Sequence, residues 1–352
     1  MRYHTDSGLH LFSSDERLEV LDKIGDPLRR LGEHIDFEFF RPTLEGALYL
    51  SHNSRKGGRP PFDPVLMFKV LVIQRLYNLS DDSTEYLIND RLSFMRFLGL
   101  DLGGRVPDAK TIWVFRERLK KEGLVKKLFE ELTCHLERER IIANSGQLVD
   151  ATIVPAPRQR NSRSENETIK SGETPPEWQD ELRKQSQKDV DARWTMKNSV
   201  TYYGYKNHII CDRKSKLIKG YVVTDASVHD SQVISELTDN GRAHGQTLYA
   251  DSAYRSAGIE TNLAGKTIKS RIHLKAARNK PLTKKQQASN RARSRQRSRV
   301  EHVFGFMENS MGGIYVRCCS KVRNEVVIGL LNLTYNLCRI RQLSRTLEHS
   351  PA

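Results

Sequence analysis

The chain has 352 residues, which is long enough to bury a large core and to form two domains. Its formal net charge of +15 and its pI near 9.6 predict a polyanionic partner, either nucleic acid or an anionic membrane surface. No apolar run approaches the ~20 residues needed to span a bilayer, and the first ten residues lack the apolar core of a signal peptide, so we expect a soluble, cytoplasmic protein.

The first 130 residues are predicted to form a helical domain. The stretch "SSDERLEVLDKI" has a capping serine, early acidic residues and apolar positions at helical spacing. A loop rich in glycine and proline follows at 54–64, and Asp63-Pro64 is a typical helix start. The pattern then predicts four helices: 64–79, 80–88, 92–98 and one that starts near Asp108. This module has the size of a helix-turn-helix DNA-binding unit, and a purely structural role is an equal alternative.

From about residue 146 the pattern changes to short strands rich in β-branched residues. The predicted strands are "QLVDATIV", "YKNHIICD", "LIKGYVVTD", "QTLYAD" and "KTIKSRIH". Helical stretches separate or follow them, namely "HDSQVISEL", "SAGIETNLA" and an amphipathic helix near Val326–Cys338. This order predicts an α/β domain over 140–343, in which helices cover a mixed sheet.

Two charged segments interrupt this domain. Residues 156–200 contain nine Lys/Arg and eight Asp/Glu with little apolar content, which predicts a polar, partly disordered insertion with a candidate helix from Pro176 to Arg193. Trp178 and Trp194 lie in this insertion, either to stack on an unpaired base or to anchor the insertion on the domain. Residues 266–300 contain thirteen Lys/Arg and no acid, which predicts a bound polyanion.

Three acidic residues stand out beside this basic segment. Asp150 lies inside "QLVDATIV", Asp251 ends "QTLYAD", and Glu301 follows the basic run in "RSRVEHVFGF". The aspartates lie on strands that can be neighbours in one sheet, and Glu301 lies on a helix that can pack over their ends. Three converging carboxylates repel one another unless a divalent cation is bound, and all-oxygen ligation favours Mg²⁺ or Mn²⁺. Two such ions support phosphodiester displacement, so this chemistry predicts a metal-dependent nuclease or strand transferase.

The sequence also resembles bacterial insertion-sequence transposases of the DDE type, in the insertion sequence five group. The resemblance rests on five stretches in order: "VDATIVPAP", "DARWTMKNSVTYYGYKNHI", "VVTDASVHDSQ", "LYADSAYRS" and "RSRVEHVFG". It implies an RNase H-like catalytic fold, a catalytic and metal-binding triad of Asp150, Asp251 and Glu301, and a bacterial, nucleoid-associated protein. Members often carry a Tyr-Arg-Glu-Lys signature around the glutamate. Arg297 matches its arginine, whereas Ser294 and Glu308 stand at its tyrosine and lysine positions.

The leading hypothesis is therefore a transposase that binds the element ends, frees a 3′-OH and joins it to target DNA. Double-stranded DNA and further copies of the chain, in a homodimer or a higher oligomer, are the expected partners. Alternatives are an inactive DNA-binding protein derived from a transposase and a plain RNase H-like nuclease. Asp225 is a candidate neighbour of the triad outside the ligand set. The residues expected to contact DNA are Arg291, Arg293, Arg295, Arg297, Arg299, Lys206, Lys284 and Lys285.

Overall fold

The computed structural model describes residues 13–48, 60–178, 181–239, 245–276 and 281–348. The predictions for the first ten residues and for most of the loop at 54–64 lie outside these ranges. The chain divides into two compact units. The first comprises Met1–Gln74, Leu79–Phe115 and Ile340–Ala352, and the second comprises Arg75–Asn78 and Arg116–Arg339. The predicted domain limits at 130 and 140 stay predictions.

Helices and one 3-10 turn at Phe37–Phe40 build the first unit, and side-chain caps begin several of these helices where the sequence predicted a start. Asp63 accepts hydrogen bonds from the backbone N–H groups of Val65 and Leu66, and Ser80 and Asp108 cap the next helices in the same way. The helices from Ser13 to Lys121 are α1 (Ser13–Ile24), α2 (Pro27–His34), α3 (Arg41–Leu48), α4 (Pro64–Leu76), α5 (Asp81–Asp90), α6 (Leu92–Leu98) and α7 (Ala109–Lys121). Helices α4 and α7 run past the limits of the first unit at Gln74 and Phe115.

Phenylalanine side chains form the centre of this first unit. The rings of Phe37 and Phe97 meet edge to face with centroids 5.4 Å apart, and those of Phe40 and Phe68 lie 4.8 Å apart. All four are buried, so burial of these rings holds the short helices together.

The second unit alternates strands and helices. Its strands are β1 (Gln147–Pro155), β2 (Arg193–Lys197), β3 (Val200–Asp212), β4 (Ile218–Asp225), β5 (Thr247–Tyr249) and β6 (Lys269–Ser270). Its helices are α8 (Leu124–Arg138), α9 (Arg163–Lys170), α10 (Leu182–Gln187), α11 (Ile234–Thr238), α12 (Ala257–Gly265), α13 (Lys284–Arg297), α14 (Glu301–Ser310) and α15 (Lys321–Glu348). Short 3-10 turns lie at Pro176–Trp178, Asp230–Gln232, Ser252–Tyr254 and Ser298–Val300.

The strands form one mixed sheet of six. Its central order is β4-β3-β1-β5-β6, and β2 pairs with the first part of β3. The pairs β4/β3 and β3/β1 are antiparallel, whereas β1/β5 and β5/β6 are parallel. This arrangement confirms the predicted α/β class, a mixed RNase H-like sheet flanked by helices.

Each face of the sheet is covered by helices. On one face, Val149, Ile210 and Leu248 pack with apolar residues of α11 and α12. On the other, α15 is fixed by polar bonds: Asn207 and Asn332 exchange amide hydrogen bonds of 2.7 and 3.1 Å. Each of these buried amides donates one bond and accepts one from the other, so the pair fixes the register of α15 on the sheet. No helix within the described ranges is long and apolar enough to cross a membrane.

The insertion at 156–200 is more ordered than its composition predicted. A capping box between Ser162 and Glu165 begins α9, and Trp178 is fully buried with its indole N–H 2.6 Å from Glu165. The prediction of partial disorder is wrong for the described part of the insertion, because this one large apolar side chain supplies a core. The candidate helix from Pro176 shortens to a 3-10 turn and α10.

Candidate active site

Two aspartates occupy matching positions on neighbouring parallel strands. Gln147 pairs with Leu248 and Leu148 with Tyr249. Asp150 and Asp251 each lie two residues beyond the second pair, so the same register sets them side by side where β5 ends. Neighbouring strands are about 4.8 Å apart, so these two carboxylates lie at the same end of two adjacent strands.

In both aspartates the backbone N–H of the next residue holds one carboxylate oxygen. Asp150 Oδ1 accepts a bond of 2.9 Å from the backbone N–H of Ala151, and Asp251 Oδ1 accepts one of 2.5 Å from that of Ser252. The second bond caps the 3-10 turn at Ser252–Tyr254, which explains why β5 stops there. Asp251 is therefore a cap, and its Oδ2 has no protein partner within the described residues.

Arg297 joins the first aspartate to the glutamate. Its guanidinium donates to Asp150 Oδ2 at 2.9 Å and to Glu301 Oε1 at 3.4 Å. Arg297 ends α13 and Glu301 begins α14, one helical turn later, so both side chains leave the helices on the same side. The guanidinium thus neutralises two carboxylates that would otherwise repel each other.

The burial of Asp150 has an electrostatic cost. Its side chain is 21% exposed, and burial raises the pKa of its carboxyl group, an effect opposed by the N–H of Ala151 and by the positive charges of Arg297 and Lys197. The carboxylate of Asp230 adds to the raising. Asp150 therefore favours a nearby cation more than an exposed aspartate does.

Tyr254 lies among these acids. Burial is the main reason that the pKa of its phenol is raised well above the ordinary value, and Asp230, Asp150 and Asp251 raise it further. Its side chain is 1% exposed, and its hydroxyl has no hydrogen-bond partner within the described residues. This burial favours a packing role for Tyr254.

The donor set suits a hard divalent cation, although the acids are spread out. Within the described part of the chain, no three His, Cys, Asp or Glu side chains are close enough together to hold a metal ion. The side chains of Asp251 and Glu301 are 50% and 63% exposed, so both can approach an ion. A cation already lies against Asp150 Oδ2, in the form of a guanidinium. Oxygen donors of this kind favour Mg²⁺ and Mn²⁺.

His273 was not identified from the sequence, although it contacts the site. Its Nδ1 lies 3.5 Å from Asp251 Oδ1, and its Nε2 lies 3.2 Å from Ser294 Oγ. The feature of the sequence that could have identified it is its place at the end of the predicted strand "KTIKSRIH".

Asp225, the candidate neighbour of the three acids, makes local contacts instead. Its carboxylate accepts bonds from the backbone N–H and the hydroxyl of Ser227.

The basic residues of α13 and the turn after it separate into two groups. Arg293 and Arg297 point inward, and the Arg293 guanidinium donates to the backbone carbonyl of Ile272. Burial lowers the pKa of Arg293, as do the charges of Arg255 and Arg271. The exposed group comprises Lys284, Lys285, Arg291, Arg295 and Arg299.

Lys206 also points inward. Its ammonium group donates to the carbonyl of Val228 at 2.7 Å and to Asp230 at 2.9 Å, and its side chain is 15% exposed. Protein acceptors therefore contact the ammonium group that the sequence predicted to contact DNA. The 3-10 turn that begins at Asp230 is capped by the side chain of His229, which leaves the Asp230 carboxylate to pair with Lys206.

Two family models match this chain. A family model described as a transposase DDE domain matches residues 143–337, and a second model, described as a transposase domain, matches residues 16–118. Among solved structures, the chain is similar to one described as the cryo-EM structure of piggyBac transposase synaptic complex with hairpin DNA. The identity is 13% and the TM-score 0.44, over 94% of this chain and 78% of that chain.

Proposed function

This chain belongs to the transposase DDE domain family, and on that premise we propose that it binds the ends of a mobile DNA element and catalyses metal-dependent phosphodiester hydrolysis and strand transfer. The register of β1 and β5 carries the proposal, because it supports Asp150 and Asp251 as adjacent carboxylates. Glu301 completes the set through its shared contact with Arg297. From the order of its motifs we also infer that the chain falls in the insertion sequence five group.

The three acids would hold the metal ions. Two divalent cations, Mg²⁺ or Mn²⁺, would activate the attacking oxygen and stabilise the leaving oxygen. The backbone N–H groups of Ala151 and Ser252 hold Oδ1 of each aspartate. A metal ion would then meet Oδ2 of Asp251 directly and would share Oδ2 of Asp150 with the Arg297 guanidinium. Arg297 limits repulsion between Asp150 and Glu301 and would help to place the DNA phosphate.

The reaction would run as two displacements at phosphorus. In the first, water attacks at the element end, a new P–O bond forms, and the bond to the 3′ oxygen breaks to leave a 3′-OH. In the second, that hydroxyl attacks a target phosphodiester, so that one P–O bond forms as another breaks and a target 3′-OH is released. The number of phosphodiester bonds is unchanged in this step, so it needs no external energy source.

The exposed cations of α13 and its following turn suit a DNA backbone. Lys284, Lys285, Arg291, Arg295 and Arg299 carry five positive charges, and the described residues between 281 and 300 include no acid. Such a surface binds phosphates with little sequence preference. We assign recognition of the element ends to the helical domain predicted over residues 1–130.

Transposition requires two element ends in one complex, so we propose that the active form is a homodimer or a higher oligomer. Mixing wild type with a catalytically dead variant tests this proposal. Paired action by two subunits predicts that the dead variant lowers the yield of joined products more than dilution alone. A yield that follows dilution would favour independent subunits.

The central experiment is cleavage of DNA that contains an element end, with Mg²⁺, by wild type and by Asp251→Asn. The expected result is loss of cleavage with retained DNA binding. Asp225→Asn is the matched control, because Asp225 ends β4 and, like Asp251, accepts a backbone N–H bond in the turn that follows a strand. Undiminished cleavage by Asp251→Asn would eliminate this site.

Other outcomes separate the alternative functions. DNA binding without cleavage by wild type, with either Mg²⁺ or Mn²⁺, would favour the inactive DNA-binding protein. Cleavage without joining of the freed 3′-OH to a target would favour a plain nuclease.

A further inference from the structure

We propose that His273 is a positioning residue that holds Asp251 in the orientation needed for metal binding, and that Ser294 in turn holds His273. This inference rests on the proposed function, because it assigns Asp251 a metal-binding role. It goes further by adding two residues that neither the acidic triad nor the basic surface includes.

The backbone places His273 beside Asp251. The segment after β6 continues along β5, since the Arg271 N–H donates to Leu248 O at 2.7 Å and the His273 N–H donates to Ala250 O at 3.1 Å. Asp251 is the residue after Ala250, so the next positions on these parallel segments bring the ring and the carboxylate together. His273 therefore lies beside Asp251 on the extended segment that follows β6, as Asp150 lies beside it on β1.

The ring contacts both neighbours with different nitrogens. Nδ1 faces Asp251 Oδ1 at 3.5 Å, and Nε2 faces Ser294 Oγ at 3.2 Å. One neutral tautomer satisfies both contacts: Nδ1–H donates to the carboxylate, and Nε2 accepts from the serine hydroxyl. The side chain is only 14% exposed, so solvent has little access to either contact.

The inner face of α13 holds the backbone on both sides of His273. The Asn290 amide donates to Leu274 O at 3.0 Å and accepts from Leu274 N–H at 2.9 Å. On the other side, the Arg293 guanidinium donates to Ile272 O. These bonds hold the backbone before and after His273, so the fold fixes the position from which its ring projects.

These contacts decide which carboxylate oxygen of Asp251 is free to bind a metal ion. Its Oδ1 receives the Ser252 N–H and faces His273, whereas Oδ2 has no protein partner within the described residues. The side chain is 50% exposed, so the loss of one constraint would let the carboxylate turn. Groups that orient a metal-binding carboxylate in this way often change metal affinity or activity by 10- to 100-fold when they are removed.

Ser294 gives this contact a link to the DNA-binding helix. It stands where related sequences often have tyrosine, and here a hydroxyl meets the imidazole. Ser294 also lies between the exposed Arg291 and Arg295 and the inward Arg297 on α13. The helix that would bind the DNA backbone therefore also holds the ring that positions Asp251.

Two substitutions separate the two ring contacts in the full-length protein. Asn places its amide N–H group where imidazole has Nδ1, whereas Gln places it where imidazole has Nε2. We expect His273→Gln to raise the Mg²⁺ concentration for half-maximal cleavage by about tenfold or more. His273→Asn keeps the donor to Asp251 and should stay within about fivefold of wild type, the equivalent of one ordinary hydrogen bond.

Binding of Mn²⁺, followed through the electron paramagnetic resonance signal of the free ion, gives a second readout that needs no turnover. His273→Gln should weaken Mn²⁺ binding more than His273→Asn does. His135→Gln and His135→Asn, on α8, are matched controls for the change of side chain. Thermal unfolding measured in parallel identifies any variant that fails to fold.

The outcomes distinguish this inference from the proposed function. Wild-type cleavage with equal metal dependence in His273→Gln would overturn the role of His273 and leave the triad intact. Equal losses in the Gln and Asn variants, with both proteins folded, would also overturn it, because the Asp251 contact would then not decide the effect. Absence of any cleavage by wild type would count against the proposed function, and Mn²⁺ binding would then decide the role of His273.

Discussion

Two strands of the sheet lead into an aspartate followed by small residues, and they do so in different surroundings. "VVTDAS" closes β4 on Asp225, and "LYADSA" closes β5 with Asp251 just after it. Both carboxylates accept a bond from a nearby backbone N–H and cap a turn. Asp225 lies opposite Tyr205 on an antiparallel neighbour, whereas Asp251 follows a strand that runs parallel to the one with Asp150. The local sequence lets both aspartates accept a backbone N–H in a turn. Only Asp251 follows a strand parallel to β1, and this direction places it at the same end of the sheet as Asp150.

The largest effect expected from this comparison is the loss of cleavage in Asp150→Asn. The amide keeps the acceptor for Ala151 N–H but removes the charge that faces Arg297, so DNA cleavage should fall by about 10³-fold or more. Cleavage assays under single-turnover conditions measure this change. Asp225→Asn should remain close to wild type, and an equal loss at both positions would break the distinction.

The second effect tests the cation that faces Asp150. Arg297→Gln leaves Asp150 and Glu301 without their shared neutralising partner, so cleavage should fall by about 10- to 100-fold. Arg297→Lys keeps the charge without the two-pronged geometry and should recover only part of the activity. Arg299→Gln, two residues further and exposed, is the control. If Arg299→Gln and Arg297→Gln lose equal activity, Arg297 acts only through general attraction to DNA.

Much of this arrangement could be predicted from the sequence, and the rest depended on packing. Asp150, Asp251 and Glu301 can be proposed from the sequence, because acids beside a basic run carry a chemical meaning. The contact between His273 and Ser294 spans 21 residues and depends on how α13 lies against the segment after β6. For Trp178 the sequence left base stacking and anchoring of the insertion as alternatives, and only the packing shows that this indole is buried in a local core.

The third effect separates the two faces of α13. A plot of log affinity against log salt has a negative slope that steepens by about 0.9 for each phosphate contact. If Arg291, Arg295 and Arg299 each contact a phosphate, changing any one of them to Gln should make that slope shallower by about 0.9. Arg293→Gln should leave that slope unchanged, because its guanidinium donates to Ile272 O. DNA-binding isotherms at four or five salt concentrations measure the slopes. A salt slope that changes equally for all four variants would contradict the separation of faces.

The fourth effect is a pH dependence of stability. Burial raises the folded pKa of Asp150 above its ordinary value of 3.8, so the folded state holds this proton more tightly than the unfolded state. The stabilising contribution of that proton is present below pH 3.8 and is lost as the pH rises through the folded pKa. Denaturant unfolding should therefore show wild type losing stability relative to Asp150→Asn across that window. Parallel curves for the two proteins would contradict the raised pKa.

The smallest effect on the site comes from two tyrosines, Tyr254 beside Asp251 and Tyr205 opposite Asp225. Tyr254 lies among the acids of the site with a buried hydroxyl that has no partner in the described ranges, so Tyr254→Phe should leave the free energy of unfolding unchanged or raise it by about 0.5–1 kcal/mol. Tyr205, opposite Asp225, donates its hydroxyl to buried Asp189 at 2.7 Å. Tyr205→Phe should therefore destabilise the protein by about 1.5–3 kcal/mol, because it leaves that carboxylate short of a donor. Unfolding curves and cleavage rates of both variants test the pair. A loss of cleavage in Tyr254→Phe at unchanged stability would show that this hydroxyl serves the reacting groups, and the acidic site would then extend from the strand edge into the turn that Asp251 caps.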